Sequence, residues 1–157
     1  MEADFNALSA SLRGEIEIMA ELLKALEAEQ KALAAGDFPA MGRAAENKER
    51  LVLALDSARA DRRRVSGLPE GRGLGALARR APGEWGPRLM ELTRRAADLA
   101  EKVLLLNRGN GRLLEMGRAF VQERMDALRY RAGRVVLYGR RRDYVSVGGA
   151  SVVQRDL

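Results

Sequence analysis

Apolar residues recur at steps of three and four through most of this chain, which is the spacing of one face of a helix. The longest such seam starts at Trp85 and passes through Leu89, Leu92, Ala96, Leu99, Val103 and Leu106, then Leu113, Phe120 and Leu128, to about Arg131. Two seam positions are odd: Asn110 is polar and Gly117 has no side chain. The segment Asn107-Arg108-Gly109-Asn110-Gly111 has the composition of a turn. The apolar phase is nevertheless the same before and after it, and a loop of arbitrary length loses phase. The reading is therefore an unbroken helix with a polar, low-bulk patch, and the alternative is a helix–loop–helix break. Gly109 and Gly111 would let a second backbone approach closely, and a seam Asn such as Asn110 fixes register. At 1.5 Å per residue a helix over 84–131 is about 70 Å long, so part of it is expected to overhang its neighbours or to pack on another molecule.

Two further helices precede it. Residues 4–35 place Phe5, Leu8, Leu12, Ile16, Met19, Leu22, Leu23, Leu26 and Leu33 in a 3/4 pattern with Glu and Lys opposite. Asp4 is a candidate N-cap and Gly36 a candidate left-handed C-terminal stop. Asp37 then caps a second helix, 38–64, with Pro39 in its first turn. Its seam reads Phe38, Met41, Ala45, Lys48, Leu51, Val52, Leu55 and Ala58, and it ends in Arg62-Arg63-Arg64. Such a short link between long helices forces an antiparallel hairpin, and a slightly kinked single helix is the alternative. Residues 65–83 form a Gly- and Pro-containing linker in which Leu74 to Arg80 fits a short helical turn. The expected fold is all-α: an antiparallel three-helix bundle or coiled coil with one long C-terminal helix, over residues 1–131. A flexible tail, 132–157, follows. Val135 to Tyr138 and Asp143 to Val147 have strand propensity, but one hairpin is marginal alone, and the tail is read as ordering on a partner.

Composition narrows the chemistry. The chain has no Cys and no His, which removes thiolates, the commonest metal ligand and the commonest general base. Glu15 with Glu17, and Glu27 with Glu29, lie two apart on different sides of a helix and make no catalytic or metal pair. No enzyme activity, catalytic residue, metal or cofactor is expected. The start Met1-Glu2-Ala3-Asp4 is acidic with no apolar run after it, and no stretch reaches the length of a membrane span. A cytoplasmic location without stable membrane insertion is the expectation. Residues 1–58 carry 6 basic and 11 acidic side chains and residues 59–157 carry 22 and 11. Arg outnumbers Lys 24 to 4, a coding bias that weakens any inference from the pI. The Arg clusters (Arg62 to Arg64, Arg129, Arg131, Arg134, Arg140 to Arg142) lack interleaved stacking residues, so nucleic acid is not an expected partner.

The run Leu106-Asn107-Arg108-Gly109-Asn110-Gly111-Arg112-Leu113-Leu114 resembles the Asn-x-x-Asn-Gly-x-Leu-Leu signature of FlgN-type flagellar export chaperones. The Gly-Asp break after the first helix, Lys48-Glu49-x-Leu51 in the second and Tyr138-Gly139 after the last fit the same pattern. Arg140-Arg141-Arg142 and the continuation to Leu157 depart from it. The resemblance implies a non-enzymatic cytoplasmic chaperone that binds C-terminal helical segments of hook-associated proteins, keeps them unpolymerised and delivers them to the flagellar type III export gate. On this reading Leu113, Leu114, Phe120, Val121, Met125 and Leu128 bind the client helix, with Met125 adding tolerance for more than one client. Asn107, Asn110 and Gly111 form a helix-packing signature, and Tyr138 with Gly139 docks on an export-gate component. The same six apolar residues also suit plain core packing or a homodimer contact. A structural coiled-coil adaptor or stalk component of a secretion machine is the alternative function.

Overall fold

The computed structural model describes residues 4–67 and 73–133, with side chains as far as Tyr130. Every described element is a helix: α1 (Phe5–Ala35), α2 (Phe38–Ser66), α3 (Leu74–Arg80) and α4 (Trp85–Gly133). The chain divides into two compact units, Met1–Arg112 and Leu113–Leu157. The strand-prone segments, Arg134, Arg140 to Arg142, and Tyr138 with Gly139 lie outside the described residues.

The ends of α1 and α2 follow from local chemistry. The Asp4 carboxylate accepts the Ala7 N–H at 3.0 Å, and Asp37 accepts that of Ala40 at 3.0 Å; such caps contribute about 1 kcal/mol each. Gly36 stops α1 at φ 67° and its N–H reaches back to the last turn, a left-handed geometry that a Cβ penalises. Pro39 sits in the first turn of α2, where a missing N–H breaks no helix bond.

The core of the first unit is centred on α1. Leu8, Leu12, Ile16, Met19, Leu22, Ala25 and Leu26 are all buried, against Leu51 and Leu55 of α2, Ala78 of α3, and Leu89 and Leu92 of α4. Burial of a Leu or Met contributes about 1.5–3 kcal/mol before entropy is charged. α3 tucks under the start of α4. A Cβ on Gly86 would lie 2.9 Å from the Ala78 carbonyl oxygen, so only glycine lets the two backbones meet there. Phe5 stacks on Trp85 with centroids 6.3 Å apart, and the Arg88 guanidinium lies 5.4 Å from the Trp85 ring.

The seam expected for α2 is corrected. Phe38, Ala45 and Val52 are exposed, and Ala44 is buried instead. The side facing α1 is a strict 4/3 stripe of Met41, Ala44, Lys48, Leu51, Leu55, Ala58, Arg62 and Val65, in which Lys48 and Arg62 are polar. α4 is helical throughout Asn107 to Gly111, so the turn-like composition breaks nothing.

Candidate functional site

Two buried carboxylates organise the first unit. Glu15 and Glu29 fall on the 4/3 seam of α1, between Leu12 and Met19 and after Leu26, and are 5% and 4% exposed. Each meets a cation from the seam of α2. Glu15 accepts from Arg62 Nε at 2.6 Å and from Arg59 Nε at 3.3 Å. Glu29 Oε1 accepts from Lys48 Nζ at 2.6 Å. Numbering rises along α1 as it falls along α2, and a single register satisfies both pairs. Arg62, read from sequence as part of a basic helix end, is thus an internal ion-pair partner.

Asn110 of α4 completes the second cluster. It is 1% exposed. Its Nδ2 donates to the Leu26 carbonyl at 2.8 Å and to Glu29 Oε2 at 2.9 Å. Two acceptors fix the amide orientation, because the flipped amide would aim its oxygen at both. Its Oδ1 is buried with no hydrogen-bond partner among the described residues, a cost of about 1–3 kcal/mol that an apolar side chain would not incur. Glu29 therefore ties α1, α2 and α4 together through Lys48 and Asn110. On the exposed side of α1, Lys24 bonds Glu21 at 2.8 Å, which raises its pKa above the ordinary lysine value; exposed pairs of this kind add little.

The other signature residues sit differently. Asn107 is exposed and, with Leu22, Leu26, Lys48, Glu49, Val52, Leu53 and Val103, lines a shallow groove of about 450 Å³ between α1, α2 and α4. Gly109 and Gly111 face open space: a Cβ on either meets nothing within 4 Å. The close backbone approach expected at these glycines does not occur among the described residues, because it is Asn110 that turns inward.

In the second unit the described part is the last portion of α4. Leu113, Leu114, Phe120, Val121, Met125 and Leu128 are all exposed, from 40% to 59%. At 100° per residue they occupy one arc of roughly 140°. Met116 and Tyr130 are exposed outside that arc. Phe120 and Leu128, with Glu123, Arg124 and Ala127, border a shallow depression. The six residues named from sequence are thus together on one face. A run of large apolar side chains left in water is the kind of surface that marks an interaction site.

Sequence reasoning missed Glu15, Glu29 and Arg62. The signal was present: both glutamates keep the 4/3 phase of the neighbouring leucines, where a carboxylate has no reason to be unless a cation meets it. Among the described residues no group of acidic side chains is arranged to hold a metal ion, and no helix is long and apolar enough to cross a membrane.

The family model described as FlgN protein matches residues 1–146. No curated protein and no solved structure matches the chain. The match covers all four helices and the Asn110 cluster, and on it the chain belongs to the FlgN family, a family of flagellar export chaperones.

Proposed function

We propose that this chain is a cytoplasmic export chaperone for hook-associated proteins, and that it holds their C-terminal helical segments on the apolar face formed by Leu113, Leu114, Phe120, Val121, Met125 and Leu128. The observation that carries the reading is the exposure of all six on one arc of α4. An amphipathic client helix that lays its apolar face there gains burial and loses the surface it would use to polymerise. Residues 1–112 act as the scaffold, an antiparallel three-helix bundle of α1, α2 and the first part of α4, locked by Glu29, Lys48 and Asn110. Residues 132–157 act as a tail whose Tyr138 and Gly139 dock on an export-gate component, releasing the client to secretion. The work is binding and release, with no chemical step and no cofactor.

Size-exclusion chromatography of the chain co-expressed with hook-associated proteins tests this directly. The expected result is one co-eluting complex, lost when the client's C-terminal helical segment is deleted. A chain that forms a stable homo-oligomer and ignores every hook-associated protein would contradict it and would favour the coiled-coil adaptor.

A further inference from the structure

Between Leu113 and Leu128 the exposed face of α4 carries one charge within it. Arg124 lies between Phe120 and Leu128, and its helix neighbours three and four residues away are Phe120, Val121, Ala127 and Leu128, all apolar. Its guanidinium sits over the Phe120 ring, 4.8 Å from the centroid. Among the described residues no carboxylate reaches ion-pair distance of it. The neighbouring cation differs: Arg129 pairs with Asp126 at 3.7 Å, on the polar side of the helix where Gln122 also donates to Asp126. Arg124 is thus held over the Phe120 ring, and among the described residues its charge has no counter-ion.

A purely apolar partner would bury that guanidinium with nothing to compensate its lost hydration. A second copy of the same face does no better. It offers Leu, Phe, Val, Met, Gly and another Arg124, and no Asp or Glu, so parallel in-register pairing sets two guanidinium groups side by side. We infer that the occupant of this face is an amphipathic helix that carries a carboxylate inside its own apolar stripe, placed to meet Arg124. The inference rests on the face being the client surface. It makes Arg124 the residue that selects among helices whose apolar stripes are otherwise alike, by penalising those without the acid.

The test uses three helical peptides that share one amphipathic sequence and differ at a single central position of the apolar stripe, with Glu, Gln or Lys. Fluorescence anisotropy reads their binding to the full chain and to Arg124→Glu. The Glu peptide should bind at least about tenfold tighter than the Lys peptide, with Gln between them, and Arg124→Glu should invert the order. The same order in both proteins, or equal binding of all three, would overturn the role of Arg124 while leaving the client surface in place. Phe120→Asp separates the two ideas: if it leaves all three peptides bound as before, the client surface itself is misplaced and the inference falls with it. A concentration-dependent dimer that Arg124→Met strengthens and that excludes the peptides would assign the face to a second copy.

Discussion

Replacing Leu113, Phe120 and Leu128 together by Asp is expected to abolish the complex with hook-associated proteins while leaving the fold intact. Each side chain is at least 40% exposed, so its loss opens no cavity, and surface substitutions of this kind usually shift stability by less than about 0.5 kcal/mol. Far-ultraviolet circular dichroism and the urea midpoint should therefore match the parent. Binding should respond very differently. An apolar anchor buried against a partner typically contributes about 2 kcal/mol or more, near 30-fold in affinity. Three buried aspartates facing a client's apolar stripe compound that loss with desolvation. Titration calorimetry with a hook-associated protein should show no measurable heat of binding. A triple variant that binds like the parent would place the client elsewhere, and one that unfolds would mean that these residues stabilise the chain itself.

The second large effect is expected at Glu29. Its carboxylate is 4% exposed and accepts from Lys48 on α2 and Asn110 on α4. Glu29→Ala removes both acceptors at once, leaving the Lys48 ammonium half-buried and one Asn110 N–H unmatched. Breaking a buried pair from one side costs about 3 kcal/mol or more. Replacing all three partners, as Glu29→Leu with Lys48→Met and Asn110→Leu, removes the unpaired polar atoms together, including the unmatched Asn110 Oδ1, and should recover most of the loss. Urea unfolding followed by circular dichroism measures both. A Glu29→Ala variant within about 0.5 kcal/mol of the parent would show that the cluster contributes little to stability.

What such a cluster adds is register. Glu29 meets Lys48 and Glu15 meets Arg62 in the same antiparallel alignment. Sliding α2 by one heptad in either direction would set Glu29 against Leu55 or Met41, an uncompensated buried charge. Leu-rich seams alone discriminate poorly between such slips, because every heptad offers a similar surface.

The local signals in the sequence were readable because they act over a few residues. Asp4, Gly36 and Asp37 sit where the helices start and stop, and Leu74 to Arg80 forms its short helix. The continuity of α4 through Asn107 to Gly111 was legible from phase. The face of α2 was not, because Phe38 and Val52 are large and apolar yet stay exposed; choosing Ala44 over Ala45 requires knowing where α1 lies. The pairings of Glu15 and Glu29 were hidden for the same reason. Their partners are 47 and 19 residues away, and only the docking of two helices brings seam charges together. The six residues of the α4 face could be named from composition and phase, and exposure separates them from the core that the same phase would predict.

Photo-cross-linking tests the location of the client site most directly. A benzophenone side chain is introduced at Val121, on the exposed face of α4, or at Leu53, on the rim of the groove between α2 and α4. Each protein is then irradiated with a bound hook-associated protein. A covalent adduct from Val121 that maps to the client's C-terminal helical segment is expected, and none from Leu53. An adduct from Leu53 with none from Val121 would contradict it.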